Sequence, residues 1–114
     1  MDYQNMIKVN NHARLDMRSD TVTQPTRGML DAMVSAPLGD DVYGDDPTAN
    51  ELQQFAAKLL GKEASLFLSS GTQSNLCAML TQCQRGEEII TGEHYHVFDS
   101  EAGGASALGG IMFA

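Results

Sequence analysis

The chain has 114 residues, 42% of them hydrophobic and 19% charged, which suits one small domain with a core and does not suit a disordered tract. Fifteen acidic and seven basic side chains give a net charge of -8, and cations that sparse form no stripe for a phosphate backbone, so a nucleic-acid partner is excluded. The opening MDYQNMIKVNNHARL lacks the apolar stretch of a signal peptide, and no run approaches the roughly 18 apolar residues of a spanning helix; the expectation is a cytoplasmic protein with no membrane partner.

Residues 1–14 are polar and aperiodic and read as a flexible lead-in, with the structured part expected over 15–114. Pro25 suits a first helical turn, and Met29, Leu30 and Met33 make a short apolar stripe that should end near Pro37 and Gly39. The next stretch, GDDVYGDDPTANEL, is dense in Asp and Gly and reads as a loop. Thr48 followed by Glu51 has the spacing of a capping box, and Leu52, Phe55, Ala56, Leu59 and Leu60 repeat with helical period until Gly61.

Leu66, Phe67 and Leu68 then read as a strand over 65–69 buried on both faces. A helix over 73–84, carrying Leu76, Met79, Leu80 and Cys83 on one stripe, and a strand over 88–91 complete a βαβ unit, with Gly86 as the helix stop. A loop through TGEHYHVFDSEAGGASALGG leads to a small-residue helix near 101–108, and Ile111, Met112 and Phe113 open another buried strand. Alternation of β and α elements predicts an α/β fold with a parallel sheet. The last strand has no turn or polar tail behind it, so the chain reads as the front of a longer protein.

Several familiar sites fail on spacing. No G-x-G-x-x-G is present, and GASALGGI from Gly104 has the outer glycines of a P-loop but Gly110 and Ile111 where Lys and Ser/Thr would bind phosphate and magnesium. The acidic loop from Asp40 to Glu51 places Val42 and Gly44 where a calcium loop needs oxygens. His94 and His96 lack a third ligand at characteristic spacing, and the serines near them have no G-x-S-x-G elbow. Cys77 and Cys83 fall on different faces of one predicted helix and read as reduced thiols, one of them in the core. No metal site is expected.

The turn Ser69-Ser70-Gly71-Thr72 is more informative. A strand-to-helix turn aims free backbone N–H groups and the positive end of the helix dipole at whatever sits above the strand, so it suits an anion. Read alone, it fits a plain connection with a threonine cap equally well.

Four stretches together resemble the amino-terminal third of low-specificity L-threonine aldolases: LDMRSDTVTQPT at 15–26, PLGDDVYGDDPTANELQ at 37–53, LFLSSGTQSNL at 66–76 and HVFDSEAGGASALGG at 96–110. The resemblance implies the front part of the large domain of a pyridoxal-phosphate-dependent transferase of fold type I, a partial parallel or mixed sheet with flanking helices. It implies cleavage of L-threonine or L-allo-threonine to glycine and acetaldehyde, in threonine catabolism and glycine biosynthesis, by a homo-oligomer built as a dimer of dimers. The alternatives are another β-eliminating or amino-acid lyase of the same fold, or a non-catalytic phosphate-binding fragment.

On that resemblance, Gly71 and Thr72 receive the phosphate of pyridoxal 5'-phosphate, and His96 stacks on its ring as the catalytic residue. Ser19 lies near the substrate carboxylate with Arg18 beside it, and Tyr43 reaches the neighbouring subunit's site. Without the resemblance, His96 is an ordinary loop histidine, Ser19 caps a turn, and Tyr43 belongs to a solvated acidic loop. Glu101 to Gly104 reads as structural. The family's cofactor-linking lysine and carboxylate-binding arginines have no counterpart here: Lys8, Lys58 and Lys62 are the only lysines, and none has the family's context. The chain alone is therefore expected to be inactive.

Overall fold

The computed structural model describes residues 16–114, so the expected lead-in lies outside the described residues. These fall into two compact units, one ending at Pro37 and the other running from Leu38 to Ala114.

In the first unit, a single 3-10 turn at Asp20–Val22 precedes helix α1, Arg27–Ser35. Ser19 caps the turn, and Thr26 caps α1 by accepting from the Met29 amide at 3.2 Å. Pro25 therefore stands before the cap, which corrects the first-turn position expected from the sequence. The helix stops at Ser35 because Ala36, which precedes Pro37, is forced into extended backbone.

The second unit begins with a 3-10 turn at Asp41–Tyr43, capped by Asp40, whose carboxylate accepts from the Val42 amide at 2.9 Å. Helix α2 spans Pro47–Leu60 and is capped by Asp46, which accepts from the Ala49 amide at 2.9 Å. The expected Thr48–Glu51 capping box is thus corrected. Pro47 takes the first helical position, where its missing N–H costs nothing, and this moves the cap to the residue before it. The Ala49 bond also holds the Asp46 carboxyl below its ordinary range. Gly61 ends α2 in the left-handed region at φ 62, as its position in the sequence predicts.

The expected strand at 65–69 does not form. Leu66 and Phe67 are 70% and 54% exposed, and the segment runs extended beside α2. Ser65 donates to the Gln53 carbonyl at 2.6 Å, and the Phe67 amide donates to Gln53 Oε1 at 2.9 Å. A side chain takes the donor a neighbouring strand would otherwise take, and among the described residues no strand pairs with this segment. The proposed βαβ unit around it is absent for the same reason.

Helix α3 spans Gly71–Gln82, two residues earlier at both ends than expected. Ser70 is its cap, and Cys83 ends it in extended backbone before Gly86 is reached. Both cysteines are free and only partly buried, so neither is a core residue. Strands β1, Glu88–Ile89, and β2, Met112–Phe113, form a two-stranded parallel sheet in the register Glu88 to Met112 and Ile89 to Phe113. Between them lie the short helix α4, His96–Asp99, and a π-helical turn at Ala105–Gly109 in place of the expected 101–108 helix. The described fold is mostly helical with a small parallel sheet, an α/β arrangement with far less strand than the sequence suggests.

The core gathers where α3, the π turn and β2 meet. Ile111 is fully buried and Ala105 is 2% exposed, and Phe98 meets Phe113 edge to face at 5.7 Å. Gly109 lets this layer close, since a Cβ there would stand 2.8 Å from Leu80 Cδ2. By contrast Phe55, Leu59 and Leu60, whose helical repeat marks α2 in the sequence, are more than half exposed. Among the described residues no helix is long and apolar enough to cross a membrane.

Candidate functional site

The start of α3 is an open helix end, beside a cavity lined by Ser69 and Gln73 and also by Asp41 and Asp46. Ser70 Oγ accepts from the Gln73 amide at 3.1 Å and the Ser70 carbonyl accepts from the Ser74 amide at 3.0 Å. The amides of Gly71 and Thr72, the first two of the helix, have no acceptor among the described residues, as helix geometry dictates. A Cβ built on Gly71 would meet nothing within 4 Å, so no atom of the described residues accounts for a glycine there. Ser69 is turned aside: its hydroxyl and amide both donate to Gln73 Oε1, at 2.9 and 3.2 Å.

Asn75 follows Gly71 by four residues and Thr72 by three, so its side chain shares their face of the helix. Its Nδ2 donates to Glu101 Oε1 at 2.7 Å, and His96 Nδ1 lies 2.7 Å from that same oxygen. The Glu101 side chain is 3% exposed and the His96 side chain 63%. The hydrogen bond from Asn75, then that from His96, hold the Glu101 carboxyl below its ordinary range despite the opposing effect of burial. An ionised carboxylate can only accept. His96 Nδ1 therefore carries the proton of this contact, and most of the imidazole stays exposed.

After Glu101 the chain turns through two left-handed residues, Ala102 at φ 53 and Gly103 at φ 66. An alanine in that region costs on the order of 1 kcal/mol, and backbone of this kind persists where its surroundings fix it.

Because folding lowers the Glu101 pKa, its contribution to stability is fully present above the ordinary 4.5 and disappears as pH falls through the lower folded value. The stability difference between the parent protein and Glu101→Gln, followed by denaturant melts across pH, should be largest above that point and shrink on acidification. A difference that stays constant down to strongly acidic pH would contradict the pairing.

Ser19 belongs to the first unit, where its hydroxyl accepts from the Thr21 hydroxyl at 2.9 Å, and Arg18 Nε donates to Asp16 at 2.8 Å. Tyr43 is 78% exposed at the end of its 3-10 turn. His94 is also exposed, with Glu93 at 3.6 Å as its nearest charged neighbour. Sequence reasoning missed Asn75 and the role of Glu101. The one available signal was a lone acid inside the small-residue run SEAGGASALGG, where a charge requires a partner once buried.

The sequence model of the beta-eliminating lyase family matches residues 16–114. The chain belongs to that family. Among curated proteins, members similar to it include the low specificity L-threonine aldolase of Escherichia coli strain K12, 62% identical over 98 residues, covering 86% of this chain and 29% of the relative. Low-specificity L-threonine aldolase 1 of Arabidopsis thaliana is 49% identical over 98 residues, covering 85% and 27%. The low specificity L-threonine aldolase of Saccharomyces cerevisiae is 43% identical over 98 residues, covering 85% and 25%. The chain thus spans under a third of the length of these relatives.

Proposed function

We propose that this chain is the front part of a pyridoxal-phosphate-dependent aldehyde-lyase of fold type I that cleaves L-threonine or L-allo-threonine to glycine and acetaldehyde. The observation that carries this reading is the single oxygen of Glu101 that holds both Asn75 and His96 at 2.7 Å. It ties a helix start suited to a phosphate to a ring suited to a planar cofactor. The names of the three relatives support the reaction.

The residues present fit the group. Gly71 and Thr72 offer two backbone donors and the Thr72 hydroxyl a third, with open space above Gly71 for a phosphate oxygen. His96 offers a flat, exposed face to a pyridine ring. When bound, the cofactor supplies the electron sink that lets a carbon–carbon bond beside an amine break. Nε2 of His96, left outward by the bond at Nδ1, can accept a proton or hold a water. Ser19 serves the substrate carboxylate, and Tyr43 reaches into the site of the next subunit in a homo-oligomer.

A second reading, β-elimination, is favoured by the description of the family itself. The complete protein with pyridoxal phosphate and L-threonine decides between them. Glycine and acetaldehyde in equal amounts are expected, whereas 2-oxobutanoate and ammonia would replace this proposal with the second.

A further inference from the structure

We infer that Glu101 and Asn75 are the positioning pair of His96: together they fix its proton on Nδ1 and hold its ring at a set distance from the start of α3. The inference rests on the lyase reading for its kinetic consequence, while its structural core can be read without any reaction.

Several independent features converge on Glu101. Its side chain is 3% exposed yet lies within a run of small residues where nothing else is charged. Two donors from different elements, Asn75 in α3 and His96 at the start of α4, meet its Oε1 at the same 2.7 Å. The chain leaves it through a non-glycine left-handed residue, Ala102, a conformation that needs outside support. Glu101 does not serve as a helix cap, because α4 has no side-chain cap. The exposed end of the cluster is the imidazole.

The chemistry follows from the inventory of donors. A neutral imidazole has one N–H and one lone pair, and whichever nitrogen donates determines what the other can do. With Nδ1–H held by the carboxylate, Nε2 presents a lone pair outward. Without the carboxylate, the proton is free to sit on Nε2 and the ring is free to rotate. Asn75 prevents the carboxylate from swinging away, and because it shares a helix face with Gly71 and Thr72 it sets the ring in register with the phosphate donors. This is the orienting role that a buried acid plays behind a histidine in hydrolytic triads.

The test uses the complete protein, 15N-labelled on histidine, as the parent, Glu101→Leu, Glu101→Gln and Asn75→Ala forms. Nitrogen shifts of the His96 ring, identified by loss of signal in a His96→Phe control, should place the proton on Nδ1 in the parent. They should also do so in Glu101→Gln, whose amide oxygen can still accept, whereas Glu101→Leu should move the proton largely to Nε2. In threonine cleavage, Glu101→Leu should lower kcat on the order of 100-fold with KM changed far less, as expected when a reacting group is misplaced. Glu101→Gln should recover most of that loss, and Asn75→Ala should fall between them. An unchanged ring signature in Glu101→Leu would overturn the inference. So would equal kcat losses in the Leu and Gln variants, or losses that merely track unfolding by circular dichroism. If the ring signature shifts as stated while no variant, nor the parent, cleaves threonine, the positioning stands and the lyase reading fails.

Discussion

If the complete protein is the proposed threonine-cleaving lyase, replacing its His96 by alanine is expected to weaken cofactor binding about fivefold and to slow threonine cleavage by about 100-fold or more. The first figure corresponds to roughly 1 kcal/mol of stacking on a flat ring, and the second to losing a positioned proton acceptor. His96→Phe separates the two effects. It keeps a planar face and so should retain most of the cofactor affinity, but it has no Nε2 and should be as slow as the alanine form. His94→Ala should leave both quantities near the parent values, since that ring is exposed and meets only Glu93. Titration of cofactor absorbance alongside acetaldehyde release measures all three. Should His94→Ala cripple the enzyme while His96→Ala does not, the stacking role belongs to the other histidine.

The second large effect is on stability and comes from a glycine in the loop before α2. A Cβ on Gly39 would lie 2.2 Å from the Asp45 carbonyl oxygen and 2.7 Å from Asp46 Cα. These are backbone atoms, so no side chain can swing aside to make room. Gly39→Ala must push the loop apart, breaking the Gly39 amide bond to Asp46 Oδ2 at 3.3 Å and disturbing the cap of α2. A loss of roughly 1–3 kcal/mol is expected, as for other forced overpacking. Gly28, inside α1, is the contrasting case: the nearest atom to its Cβ position is Thr26 Oγ1 at 4.0 Å. Gly28→Ala should therefore stabilise by about 0.5–1 kcal/mol through helix propensity. Denaturant midpoints of the two variants should move in opposite directions, and a neutral Gly39→Ala would show that the loop adapts freely.

The contrast between sequence and structure is clearest residue by residue. Gly61 was legible because a left-handed stop after a periodic run leaves few other choices. Ser70, Gly71 and Thr72 were legible as a helix start, though the helix begins nearer the turn than its apolar stripe suggests. Asp46 is hidden as a cap because Thr48 and Glu51 offer an equally good local pattern, and only the ring of Pro47 decides between them. Leu66 to Leu68 carried a real preference for burial, but whether such a run becomes a strand depends on a partner that a local window does not contain. The Asn75–Glu101–His96 cluster had no period to reveal it, since two of its members are separated by 26 residues and join only in three dimensions.

The clasp made by Gln53 also bears on the order in which this unit assembles. Its two hydrogen bonds link residues 12 and 14 apart along the chain, a loop short enough to close in about 10–100 ns. The pairing of Glu88 with Met112 joins more distant positions and pays a larger closure entropy. The extended segment leading into Ser70 can therefore be aligned along α2 before β1 and β2 meet. On this route the start of α3 is aimed by an early, local event, and the sheet later docks onto a helix whose direction is already set.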